Sequence, residues 1–248
     1  MEKKKIKWAV VLALSAVVFA VALTLLIIHL LPERPENTDI PSSLPTSQAK
    51  ELPDNPINFD ELKAQNPDIC AWIQIPGVNV NYAILQSGED AEDFYLNHDT
   101  EKKYKTAGSI YIQKINNKDF TDPNTVIYGH NMLNGSMFGT LKKFRNRQFF
   151  EENTTIYVYT PGHILTYTIY SAFVYDDRHI LNSFNFGTDD GFSAFLEQTL
   201  NPASMVKNVR EGVNVTTNDR IISLSTCTAN DSERYLVEGV LINDQPTK

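Results

Sequence analysis

The chain has 248 residues, room for one folded domain of ordinary size and an appendage. Hydrophobic residues make up 42% and charged residues 21%, and 13 Phe with 11 Tyr can fill a core, so the composition is globular and excludes a disordered chain. A formal net charge of -8, with no cluster of Lys and Arg beyond the N-terminus, excludes a nucleic-acid surface, and nucleic acid is set aside as a partner.

Lys3, Lys4, Lys5 and Lys7 precede an almost wholly apolar run from Trp8 to Leu31. At about 1.5 Å per residue this run is long enough to cross a bilayer core of about 30 Å. Residues 1–31 therefore read as a cytoplasmic basic tip and a transmembrane helix. The lysines before it, and Glu33 and Glu36 after it, place the N-terminus in the cytoplasm and the rest outside. A cleaved signal peptide is the rival reading, because Ala20-Val21-Ala22 resembles a cleavage site, but apolar Leu23 to Leu31 overrun the usual hydrophobic region. Residues 32–56 are rich in Pro, Ser, Thr and Asn, too polar to offset the entropy of ordering, and read as an extracellular spacer. A domain is expected over residues 57–248.

That domain opens with a short helix, since Asn58 and Glu61 have capping-box spacing and Pro67 stops it. Runs rich in Val, Ile, Tyr and Thr then predict strands at Ala71 to Ile75, Val78 to Leu85, Gly108 to Gln113 and Thr125 to Tyr128. Pro76-Gly77 and Pro123-Asn124 break these runs at strand-like lengths. Glu89 to Leu96 is expected to form a brief helix. Met137, Phe138, Leu141 and Phe144 recur at helical spacing, after which Thr155 to Tyr159 and Ile164 to Tyr175 form a hairpin across Pro161-Gly162. A further helix is expected over Asp189 to Leu200, with Phe192, Phe195, Leu196 and Leu200 on one face. Arg220 to Thr226 and Tyr235 to Ile242 are the last two strands. Many short strands with inserted helices point to a mostly antiparallel barrel or sandwich rather than a βαβ sheet.

Only two cysteines occur, Cys70 and Cys227, so neither a metal-type pair nor a dense disulfide framework is present. One bridge between them stays open, although Cys70 sits in an apolar strand where a free thiol packs as a small hydrophobe. Cys227 ends the strand Ile221 to Thr226 where a polar loop begins, a place where rigidly held reactive groups meet solvent. Its bland reading is a buried structural cysteine. Arg234, a short loop away, can stabilise a thiolate or offer paired hydrogen bonds to an oxyanion; its bland reading is a solvated arginine paired with Glu233 or Glu238. Among the histidines, His29 lies in the membrane run, and His163 and His179 look like solvated surface. His98 is possible, but His130, following the strand Thr125 to Tyr128 across Gly129, has the same strand-end placement as Cys227.

Together, Tyr128-Gly129-His130-Asn131 and Leu224-Ser225-Thr226-Cys227 with Arg234 beyond resemble the sortases. The family pattern around the cysteine is Thr-Leu-x-Thr-Cys, and Ser223 stands at its first position, a hydroxyl for a hydroxyl. The resemblance runs from about Asn66, through Trp72-Ile73-Gln74-Ile75-Pro76-Gly77, to Ile242. His130-Asn131-Met132 followed by Gly135-Ser136-Met137-Phe138, and the helix before the cysteine strand, look like class B.

The resemblance implies a closed eight-stranded β-barrel and a cysteine transpeptidase that needs no metal or organic cofactor. Cys227 would be the nucleophile, His130 the acid and base, and Arg234 the oxyanion-side cation. Tyr128, Ser225 and Asn97 match positions in or near the family's substrate groove. Its substrates would be exported proteins bearing a C-terminal sorting signal of Asn-Pro-x-Thr type, cut after Thr and joined to an amine of cell-wall peptide, or of a pilin if the enzyme assembles pili. A surface thiol peptidase and a non-catalytic membrane-tethered binding domain are the alternatives.

Overall fold

The computed structural model describes residues 52–88, 91–230 and 232–248, so the basic tip, the apolar run and most of the spacer lie outside the described residues. Among the described residues no helix is long and apolar enough to cross a membrane. The first helix, α1 (Phe59–Gln65), starts where Asn58 predicts: its side chain accepts from the Glu61 amide at 3.2 Å and donates to the Glu61 carboxylate at 3.4 Å. The chain then turns extended at Asn66, just before Pro67.

Nine strands follow among the described residues, β1 (Ile69–Ile75), β2 (Val80–Leu85), β3 (Ile110–Ile112), β4 (Asn124–Tyr128), β5 (Thr155–Thr160), β6 (His163–Asp176), β7 (Lys207–Val209), β8 (Ile221–Cys227) and β9 (Glu233–Pro246). Eight of them close into a barrel in the order β1-β2-β3-β4-β8-β9-β6-β5, because β5 pairs with both β1 and β6, while β7 lies alongside β6. All pairings are antiparallel except β2 with β3 and β4 with β8. The β5–β6 hairpin turns at Gly162, whose φ of 86° is left-handed backbone that a residue with a Cβ rarely adopts.

Ile73, Ile84, Ile127, Val158, Leu224 and Val237 fill the barrel interior. The opposite faces of β4, β6, β8 and β9 are covered by helix α4 (Asp189–Leu200), which sets Phe192, Phe195 and Leu196 against Val126, Tyr170, Ile221 and Leu236. Burial on both sides is why β8 shows no alternation of buried and exposed positions. Each Phe or Leu buried there contributes roughly 1.5–3 kcal/mol.

The expected helix around Met137 is not continuous. Met137 has a left-handed φ of 51°, a 3-10 turn covers Leu141–Arg145, and α2 (Arg147–Glu152) starts afresh with the Asn146 side chain capping Phe149. Phe138, Leu141 and Phe144 are all buried, and their three-residue spacing suits a 3-10 turn as well as an α-helix. The brief helix expected at Glu89 to Leu96 is a 3-10 turn at Phe94–Leu96, with Glu89 and Asp90 outside the described residues. Two short elements, α3 (Ile180–Ser183) and β7, have no periodic signal at their lengths. At the spacer boundary, Asn55 donates to the Thr160 carbonyl at 2.9 Å, and the Lys248 amide donates to the Pro53 carbonyl at 3.0 Å. The last spacer residues therefore bond to the barrel edge.

One carboxyl is wholly enclosed. Glu238 accepts from the Ser223 hydroxyl at 2.7 Å under α4, and burial pushes its pKa up to about 8. Its folded pKa thus exceeds the ordinary 4.5 of a free glutamate. The native state holds the extra proton between these values, so stability falls as pH rises through that window and levels off above it. Glu238→Gln is expected to raise the melting temperature by about 5 °C at pH 8 and to change it little at pH 4. Thermal melts of both proteins across pH 4–9 check this, and parallel curves would sink it.

Candidate active site

The parallel pairing of β4 with β8 sets the site. Tyr128 lies opposite Ser225 in the register, and His130 and Cys227 each follow two residues later at the same end of the barrel. The Gly129 amide extends the ladder, donating to the Ser225 carbonyl at 3.2 Å. A Cβ at Gly129 would lie 2.4 Å from Ile110 Cδ1 and 2.8 Å from Phe138 Cδ2, so only glycine lets the chain pass there and deliver His130. The loop beyond is tied back: Phe138 N donates to the His130 carbonyl at 3.0 Å, and Asn131 Nδ2 donates to the Cys227 carbonyl at 3.0 Å. On the antiparallel side, β9 places Arg234 directly opposite Cys227.

The histidine ring is oriented by a backbone group. His130 Nε2 is 2.8 Å from the Leu96 carbonyl. A carbonyl can only accept, so Nε2 carries the proton and Nδ1 is the atom left to exchange one. The Leu96 carbonyl is itself confined, since a Cβ at Gly108 would come within 2.2 Å of its oxygen. A hydrogen-bonded carbonyl thus stands where triad hydrolases place a carboxylate.

Cys227 is half-buried and free, so it is not bridged to Cys70, which is also free. Cys70 is buried 3.4 Å from the Ile84 carbonyl, and burial pushes its thiol up to about 12. The guanidinium of Arg234 is steadied by its own chain, Nη1 donating to the Glu233 carbonyl at 2.9 Å. Glu238, one of its conceivable partners, is instead enclosed against Ser223.

Cys227, His130 and Arg234 line one cleft of about 310 Å³ together with Tyr128 and Ser225. Tyr128 stacks on Tyr111 with centroids 5.4 Å apart, and burial holds both phenols above their usual range. The buried Tyr128 hydroxyl has no partner among the described residues. Asn97 does not line the cleft; its neighbour Leu96 does, while the Asn97 carbonyl accepts from the Lys105 amide. His98 also lies elsewhere, stacked on Phe94 with Nδ1 2.7 Å from the Phe94 carbonyl. His163 pairs with Asp244 at 2.6 Å.

One wall of the cleft escapes sequence reasoning. Tyr175, Asp177, Arg178 and His179 line it, brought there by the end of β6 and the start of α3. His179, expected on the solvated surface, caps α3 through Nδ1 and donates from Nε2 to Gln113 Oε1 at 2.7 Å. Arg178 is folded back onto Asp176 at 2.8 Å. The available signal was the charged turn Asp176-Asp177-Arg178, which by composition alone matches any surface loop.

A thiol, an imidazole with one free nitrogen and a guanidinium on one rigid barrel end can carry out acyl transfer through a thioester. The family model described as the sortase domain matches residues 73–242. Sortase B of Listeria monocytogenes is 35% identical over 189 residues, covering 73% of this chain and 73% of that protein. The structure of Clostridium perfringens sortase B superposes with a TM-score of 0.67 at 31% identity, covering 75% of this chain and 100% of that one. A Staphylococcus aureus sortase B–substrate complex gives a TM-score of 0.66 at 28% identity, covering 75% and 84%.

Proposed function

Because this chain belongs to the sortase family of cysteine transpeptidases, and looks like its class B members, we propose that Cys227, His130 and Arg234 perform the transfer at an extracellular membrane surface. The observation that supports these roles is the β4–β8 register, which puts His130 and Cys227 at one end with Arg234 facing Cys227. The substrate is an exported protein with a C-terminal sorting signal of Asn-Pro-x-Thr type. The thiolate of Cys227 attacks the Thr carbonyl carbon, Arg234 stabilises the oxyanion, and His130 Nδ1–H gives its proton to the leaving amine. The C–N bond breaks and a thioester remains. An acceptor amine, from cell-wall peptide or from a pilin, gives a proton to Nδ1, attacks the thioester and releases the thiolate. The Tyr128 and Ser225 faces of the cleft hold the signal peptide.

Residues 1–31 anchor the enzyme in the cell membrane with the N-terminus in the cytoplasm, and residues 32–56 carry the barrel away from the bilayer. The apolar run from Trp8 to Leu31 and the lysines before it support this. A membrane-impermeant thiol reagent applied to intact cells should label Cys227; labelling only after lysis would place the domain inside. For the reaction, the full-length chain is incubated with an Asn-Pro-x-Thr peptide with and without triglycine, and the products are weighed by mass spectrometry. A ligated product is expected with the amine, and hydrolysis alone in both cases would make the enzyme a peptidase.

The same assay separates two roles for Arg234. Arg234→Lys keeps the charge but not the planar fork, so turnover is expected to fall about 10²–10³-fold. Reaction of Cys227 with a small thiol reagent should stay near its original rate. Parallel loss of thiol reactivity would mean that the charge tunes the thiol instead.

A further inference from the structure

A second cleft, of about 440 Å³, lies at the other end of the barrel from Cys227. Arg220 on its wall immediately precedes β8, whereas Cys227 ends that strand, so roughly 23 Å separate them at about 3.3 Å per residue. The cleft has an apolar floor of Ile69, Cys70 and Leu165 and a rim of Lys63, Lys118, Arg220 and His163.

The cleft carries Lys63, Lys118 and Arg220 against Asp119 and Asp244, an excess of positive charge. Asp244 is already bonded to Arg220 at 2.7 Å and to His163 at 2.6 Å. Asp119 accepts from the Thr121 amide and hydroxyl. Lys63 on α1 and Lys118 on the β3–β4 loop are exposed, and neither has an ion-pair or hydrogen-bond partner among the described residues. The two ammonium groups come from different segments and line the same cleft as Ile69, Cys70 and Leu165.

We propose that this distal cleft binds a phosphate monoester, with the phosphate between Lys63 and Lys118 and its adjoining carbons on the Ile69–Leu165 floor. Three terminal oxygens can meet both ammoniums and the Arg220 face together, whereas a carboxylate offers two oxygens in one plane. Lysine binds phosphate as a mobile point charge, which suits two side chains arriving from separate elements. The wall is also where the chain enters the barrel, since Asn55 donates to the carbonyl of Thr160, a lining residue. A phospholipid headgroup and a soluble ester share this chemistry, the lipid source resting on the membrane anchor proposed above.

The test uses the full-length chain in maltoside micelles and follows glycerol 3-phosphate by its phosphorus resonance. Saturable broadening is expected. Lys63→Gln and Lys118→Gln each weaken it about fivefold and together more than 20-fold, as loss of one exposed charge contact implies. Transpeptidation of a sorting peptide by these variants stays unchanged, which also shows that they fold. Non-saturable broadening, equal binding by the double variant, or equal competition by lactate at matched ionic strength would overturn the assignment. Nanodiscs containing phosphatidic acid, compared with phosphatidylcholine alone, distinguish the sources: displacement of the soluble ester only by the former assigns the lipid, and no displacement assigns the soluble ester.

Discussion

Cys227→Ala is expected to abolish peptide transfer while leaving the barrel folded, and Cys70→Ala to leave turnover near its original level. The two thiols differ in environment. Cys227 is half-buried at a strand end facing Arg234, in the cleft that also holds His130. Cys70 is 4% exposed on β1, where burial keeps it a neutral thiol, and it lines a different cleft from the one that holds His130 and Arg234. Its truncation removes a single sulfur from a packed site, costing about 1 kcal/mol of stability. Turnover and circular dichroism on both variants decide the matter. Equal losses of activity with both folds intact would remove Cys227 from its role.

His130→Ala should lower turnover by about 10²–10⁴, the usual worth of a positioned acid and base. His98→Ala should cost far less. The two residues are close enough in the fold to be confused, since both bond to carbonyls of the segment Phe94–Leu96. They differ in what remains: His130 keeps Nδ1 on the cleft wall, whereas His98 spends Nδ1 on Phe94 and its face on the Phe94 ring. Removing His98 loosens the turn that carries Leu96 and so disturbs the His130 ring indirectly. Comparing the pH–rate profiles separates the cases, because only the His130 variant should lose an ionisation. An inactive His98 variant beside an active His130 variant would reverse the choice.

Much of the barrel is legible in the sequence because its strands are bounded by chemistry that acts locally. Pro161-Gly162 fixes the β5–β6 turn, Asn58 starts α1, and Asp189 to Leu200 shows its helical period because one face lies on the barrel. The β4 and β8 strands are buried on both faces, so they are legible by their β-branched residues and the breaks that flank them rather than by alternation. The segments that sequence misreads are those whose conformation is imposed by neighbours. Met137 takes a left-handed φ because the loop must return Phe138 to the His130 carbonyl. The order of strands around the barrel, and with it the parallel contact of β4 with β8, has no local signal. Cys227, His130 and Arg234 stand out by type and by strand-end placement. The Leu96 carbonyl does not, since a backbone oxygen carries no side-chain signature.

The β4–β8 pairing has a consequence for when the enzyme becomes dangerous to its own cell. Its two strands are separated by nearly a hundred residues, including the whole β5–β6 hairpin and α4, so their contact is among the most non-local in the fold. Contacts of this kind form late, because closing so long a loop must precede any gain from it. Cys227 meets His130 only once the intervening chain is in place. A nascent or clipped chain ending anywhere between Asn131 and Arg220 carries the imidazole without the thiol, and cannot form an acyl-enzyme with any passing protein. Activity thus doubles as a report that the whole barrel has closed, and a zymogen segment is not needed to keep the unfinished chain silent.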